Sequence, residues 1–406
     1  MNLFSKFTVV LALLLFAEHK VGFSQAKKQL PDTVKITIKG LGKPLNTAFS
    51  DFAPVISADG STMIFTSRRP VTEKEISKNK QSLESIYISN FNPKTKKWAE
   101  AKRLSESVNE PGRHNSAIAL SNDGQTMLLY RDDPNGNGDI FESRLEGEDW
   151  TEAEKLPEPI NSANHESSAS ISPDGRTIYF CSNRDEGSKG GRDIWFCTRD
   201  EEGEWGKAKN LGTSINTKED EEGIFIHPDG KTLYFSSKGH SSTGGYDILK
   251  STLVNEKWTK PVNMGSTINT ENDDVYFVIT ADGKTGYYTS AKDGGVGEKD
   301  IYEIKFIPLE KKKDKGPKVT LFKGVVIDKV TLDSLGSEIE ITDNEKNQVI
   351  SNLKSNSVTG KFLISLPSGK NYGINVKKEG YLFYSDNLTI PDTAAYQEII
   401  KTIPLE

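Results

Sequence analysis

"SPDGRTIYFCSNRDEGSKGGRDIW", Ser172 to Trp195, holds the pattern on which the fold turns: an Asp-Gly turn, an apolar strand, a polar glycine-bearing loop and a second strand. Glycine takes the left-handed backbone that tight turns need, and aspartate bonds to its own backbone two residues on. The first half recurs as "SADGSTMIFTS", "SNDGQTMLLYR", "HPDGKTLYFSS" and "TADGKTGYYTS". The aspartates are Asp59, Asp123, Asp174, Asp229 and Asp282, spaced 64, 51, 55 and 53 residues apart. The second strand recurs as "SIYIS", "DIFES", "DIWFC", "DILKS" and "DIYEI".

Four units then carry a tryptophan, Trp98, Trp150, Trp205 and Trp258, each followed 11 residues later by Asn109, Asn161, Asn216 or Asn269. A repeat of about 50 residues with four short strands cannot bury both sheet faces alone, and a ring of such sheets can. The expectation is an all-β chain: a five-bladed β-propeller over residues 33–307, with one tryptophan per blade packed between adjacent sheets. The fifth unit ends at "DIYEIKFIPLE" without its outer strand, and "VKITIKGLGKPLNT" near the N-terminus lacks partners. Val34 to Ile38 is therefore expected to complete the last blade and close the ring. A Lys/Pro linker at 308–318 leads to short alternating strands over 319–406, read as a small antiparallel β-sandwich.

The chain has 406 residues and a formal net charge of −6. Lys6, an apolar run from Phe7 to Phe16 and the exit Ser24-Gln25-Ala26 read as a secretory signal over residues 1–26, too short to span a bilayer. No cysteine follows it to carry a lipid anchor, and no later stretch is long and apolar enough to cross a membrane. A mildly acidic exported chain is a poor candidate for binding nucleic acid. The two cysteines, Cys181 and Cys197, admit either a cross-strand disulfide or two buried thiols in one blade.

The repeat, with "WGKAKNLGTSINTKEDE", resembles the TolB-like, WD40-related propellers of bacterial envelope proteins. "GVVID", "TGKFLISLPSG" and "KEGY" resemble a carboxypeptidase regulatory-like domain. In that order the pair is similar to Bacteroidota envelope proteins that continue into an OmpA-like domain, some of them in type IX secretion or porin-associated assemblies. The resemblance stops at "IPLE", so peptidoglycan anchoring does not carry over. It implies a non-catalytic interaction platform whose partner is another envelope or outer-membrane protein.

Aligned on the Asp-Gly turn, the residues eight positions earlier are Asp51, Asn115, Glu166, Glu221 and Asp274. At the start of each innermost strand they are expected to converge on one channel mouth, where carboxylates would hold a cation or a basic peptide. This makes a binding or sensor protein the alternative function; the plainer role for these residues is capping of local turns. His114 and His165 lie one residue out of phase with that ring, and His227 takes the place of a turn serine. Asp133, Asn135 and Asn137 in "RDDPNGNGDIF" reproduce part of a calcium loop, but Arg144 stands where its bidentate glutamate belongs. Asp139, Asp193, Asp247 and Asp300 share a place before the second strand, where they are expected to accept backbone N–H bonds. "GHSSTG" from Gly239 lacks the spacing of a nucleophile elbow, and no catalytic set emerges.

Overall fold

Each Asp-Gly turn closes a hairpin in the same way. In the computed structural model, which describes residues 34–78, 81–200, 202–309 and 316–406, the turn glycines Gly60, Gly124, Gly175, Gly230 and Gly283 all have φ between 66° and 72°. The aspartate Oδ1 accepts the N–H two residues on, from Ser61 (3.1 Å) through Lys231 (2.8 Å) to Lys284 (2.9 Å). The expected signal at 1–26 and most of the expected linker lie outside the described residues.

The hairpins grow into five antiparallel sheets. Their innermost strands are Asp51–Ile56, Asn115–Leu120, Glu166–Ile171, Glu221–Ile226 and Asp274–Ile279, and each contacts the next in a cycle that returns to the first. The last sheet takes its outer strand from the other end of the propeller: Val34–Gly40 pairs antiparallel with Asp300–Pro308, from Val34 opposite Pro308 to Gly40 opposite Tyr302. The all-β fold with a closed ring follows from these pairings.

The core lies between blades, in five clusters. Val55, Ile64 and Ile86 of blade 1 meet Met127, Leu129 and Trp150 of blade 2; Leu45, Phe65 and Tyr87 of blade 1 meet Val278 and Tyr287 of blade 5. Trp98 stacks edge-on against Tyr287 of blade 5 and Trp258 against Tyr179 of blade 3, while Trp205 packs into the cluster between blades 2 and 3. The cysteines are free thiols. Cys181 lies opposite Ile194 and Cys197 opposite Ile178, and the two pack into different clusters on opposite faces of blade 3, so no bridge can join them.

The recurring asparagine acts as a side-chain strand. Asn109 Oδ1 accepts the Ile86 N–H (2.7 Å) and its Nδ2 donates to the Ile86 carbonyl (3.1 Å). Asn161 does the same with Ile140, Asn216 with Ile194 and Asn269 with Ile248. Asn46, from the N-terminal segment, does it with Ile301 of blade 5, a second latch on the ring.

Residues 319–405 form a sandwich of two sheets, Lys361–Pro367, Val319–Asp328 and Gln397–Leu405 in one, Gln348–Lys354, Glu338–Asp343, Lys370–Lys377 and Tyr384–Ile390 in the other. The expectation of a wholly antiparallel sandwich is corrected: Val319–Asp328 and Gln397–Leu405 run parallel. The long excursion through the second sheet supplies the crossover a parallel pair requires.

The sandwich sits on the Asp-Gly-turn face of the propeller. Ala58 and Ala281, from two of the turns, pack against Val319, Leu321 and Leu363. Asn122 donates to Ser365 Oγ (2.8 Å), Arg176 to the Val349 carbonyl (3.1 Å) and Asn356 to the Gly147 carbonyl (2.7 Å).

Candidate binding face at the open channel mouth

The opposite mouth, where the innermost strands begin, is open. A polar cavity of about 360 Å³ lies there, lined from all five blades: Phe52, Arg68 and Glu84 from blade 1, Ser116 and Tyr130 from blade 2, His165, Ser167 and Arg192 from blade 3, Glu222 from blade 4, and Tyr276, Glu298 and Lys299 from blade 5. The sandwich leaves this side free.

Its floor is built by a repeated irregularity. Two residues into the innermost strands of blades 1, 4 and 5 the ladder slips, at Ala53, Gly223 and Tyr276, all with φ between 48° and 59°. Each bulge bends its strand. The freed N–H groups find hydroxyls on the neighbouring blade: Ala53 donates to Thr289 Oγ1 and Gly223 to Ser168 Oγ, both at 3.1 Å. A tyrosine held left-handed is costly, and here it places the Tyr276 ring 6.4 Å from that of Phe52 on the cavity wall.

The acidic ring does not converge here, which corrects the expectation. Asp51, Asn115, Glu166, Glu221 and Asp274 are all buried and turned into their own blades. Asp51 accepts from Thr47 N (2.6 Å), Thr47 Oγ1 and Arg69. Glu166 accepts from Ser162 N, Ser182 Oγ and Arg184; Glu221 from Thr217 N and Ser237 Oγ; Asp274 from Thr270 N and Oγ1. Asn115 accepts from Arg131 Nε (2.9 Å). Strand side chains alternate, so the mouth belongs to the following residues Phe52, Ser116, Ser167 and Glu222. The one-residue offset of His165 from the ring was the signal: it shares their face and lines the cavity.

The mouth is mixed in charge. Glu222 takes Ser167 Oγ (2.8 Å) and a short charged contact from Arg192. Glu84 takes Ser116 Oγ (2.8 Å), and His114 Nδ1 lies 3.6 Å away. Burial pushes the Glu84 carboxyl up, but the nearby His114 ring, the Ser116 hydroxyl and the Arg68 charge outweigh it and hold it below the usual carboxylate range. The same contact with Glu84 raises His114, whereas burial and Arg192 lower His165. Burial pushes the Tyr130 hydroxyl up to about 12.

The calcium-like loop uses its ligands internally. Asp133 Oδ1 accepts the N–H groups of Asn135 (2.8 Å) and Asn137 (2.9 Å), and Asn137 Nδ2 donates to the Asn164 carbonyl (3.0 Å). Asp193, Asp247 and Asp300 accept backbone N–H bonds from Lys189, Thr243 and Val296. Asp139 departs from this pattern. Its carboxylate is met by Lys155 Nζ at 2.7 Å, because the shorter blade-two loop brings no N–H to it. Ser242 of "GHSSTG" donates to the Ser237 carbonyl (2.6 Å), and His227 Nδ1 accepts the Asp229 N–H (3.0 Å) as a turn residue does.

No protein-family model matches the chain, and no curated protein matches it. Among solved structures it is similar to a TolB from Agrobacterium tumefaciens, at 13% identity over 82% of this chain and 98% of that one, with a TM-score of 0.38. It is also similar to TolB from Acinetobacter baumannii, at 16% identity over 64% and 56% of the two chains and a TM-score of 0.37. A β-1,2-mannobiose phosphorylase from Listeria innocua is similar at 11% identity, covering 68% and 97%, with a TM-score of 0.42.

Proposed function

We propose that the chain is a non-catalytic, exported cell-envelope protein that captures a protein partner at the open propeller mouth, with the sandwich as spacer on the opposite face. One observation carries this reading: a single polar cavity collects side chains from every blade on the face that the sandwich leaves free. The signal-like segment and the resemblance to envelope propellers support the location, with an outer-membrane or type IX secretion assembly as its setting. The alternative, a cation or basic peptide held by the acidic ring, loses its contact residues, since those carboxylates cap turns inside the blades.

Capture from envelope extract tests the proposal. The full chain recovers a partner, and Ser116→Trp, which fills the mouth without touching the sandwich joint, loses it while still unfolding cooperatively at a modestly lower melting temperature. Equal recovery by the two proteins overturns the reading.

A further inference from the structure

We infer that the open mouth recognises a peptide carboxylate, gripped between Arg68 and Lys299. The inference rests on the mouth being the binding face and names what that face selects.

Both cations are fixed by backbone bonds to the same dipeptide. The Arg68 N–H donates to the Ser50 carbonyl (2.9 Å), and the Lys299 carbonyl accepts the Asp51 N–H (2.8 Å). Both residues line the cavity.

Neither lies within ion-pair distance of a carboxylate among the described residues, though the Arg68 charge helps hold Glu84 low. The Arg68 guanidinium makes one long contact, Nε to the Ser82 carbonyl at 3.4 Å, and Lys299 Nζ rests 5.8 Å from the Phe52 ring centroid. Other arginines around the inner strands are engaged: Arg69 with Asp51, Arg131 with Glu110, Arg184 with Glu166 and Arg192 with Glu222. The two nearby carboxylates are also occupied, Glu84 by Ser116 and His114, and Glu298 by Ser50 Oγ (3.1 Å) and Gln81 Nε2 (3.3 Å).

A guanidinium whose terminal nitrogens have no hydrogen-bond partner among the described residues matches the planar fork of a carboxylate, and the ammonium adds a second charged donor. Phe52 and Tyr276 beside them give an apolar wall for the adjoining residue. The cavity is within the size range of small-ligand sites, large enough for the end or one acidic side chain of an extended peptide.

The test uses the full chain and three fluorescein-labelled octapeptide pools of random sequence: acid-free with an amidated C-terminus, acid-free with a free C-terminal carboxylate, and amidated with one Asp or Glu. At least one carboxylate-bearing pool binds ten-fold or more tightly than the amidated acid-free pool, and which one does so identifies the source of the group. Arg68→Gln with Lys299→Gln abolishes that preference at an unchanged melting temperature, and Arg68→Lys retains part of it. Equal binding of all three pools, wild-type preference in the double variant, or no binding by any pool overturns the inference. The Ser116→Trp capture experiment judges the mouth itself separately.

Discussion

Glu166 and Glu221 hold the same place in neighbouring blades and accept the same backbone and hydroxyl donors, yet one cation separates them. Arg184 reaches Glu166 at 3.1 Å, whereas Gly239 stands at the matching position of blade 4. Without that charge, burial pushes the Glu221 carboxyl up to about 7. Its folded form thus binds a proton more tightly than the unfolded chain, so its contribution to stability falls as pH rises from about 4.5 to about 7. Glu221→Gln is expected to remove that slope and to equal or exceed wild type in urea melts at pH 8. Glu166→Gln is expected to cost about 1–3 kcal/mol there, because it takes the opposite charge from the partly buried Arg184, which keeps its bonds to Ser182 Oγ and the Pro159 and Ile160 carbonyls. Equal effects of the two substitutions at pH 8 would refute the assignment. These residues also show what the sequence could convey. Asp51, Glu166, Glu221 and Asp274 recur because each blade needs the same cap. The mouth residues one position on, Phe52, Ser116, Ser167 and Glu222, are an aromatic, two serines and a carboxylate, with no chemistry common to all blades. Repetition exposed the scaffold; the candidate site lay in the positions where repetition fails.

At the level of the elements, the hairpin loops of blades 3 and 4 are tailored to the next blade. A Cβ on Gly190 would lie 2.4 Å from the Thr217 carbonyl oxygen, and one on Gly244 would lie 2.5 Å from that of Thr270. The Gly-Gly pairs in "SKGGRDI" and "STGGYDI" thus mark close approach of two backbones. Gly244→Ala should cost about 1–3 kcal/mol by overpacking, read as a lower denaturation midpoint with an unchanged slope. The asparagine latch predicts that Asn216→Ala costs a similar amount, since the Ile194 N–H is left buried without its partner and the Ile194 carbonyl keeps only the Leu211 N–H. The Asp-Gly turns, the tryptophans and the closing strand were legible because each obeys a local rule of turn geometry or period. The parallel pairing of Val319–Asp328 with Gln397–Leu405 was not, since alternation gives a strand's faces and never its direction.

For the whole molecule, the joint between modules is a small dry patch ringed by polar contacts. Ala281 is fully buried in it, and the Lys323 ammonium lies 3.5 Å from Asp59 at its rim. Ala281→Glu puts a carboxylate into that patch and should part the modules while each keeps its own core, Phe322, Ile341 and Tyr372 in the sandwich remaining packed. Small-angle scattering would register a larger radius of gyration with unchanged circular dichroism; an unchanged radius would show that the patch does not hold the joint. The pairing of Val34–Gly40 with Asp300–Pro308 has a temporal meaning as well. A strand near the start of the ring has no partner until the whole propeller sequence has been made, so the fold is governed by its most distant contact. Until then Val34–Gly40 is left with bare edges, open to any stray strand. A growing chain therefore stays unfinished up to the moment Pro308 emerges.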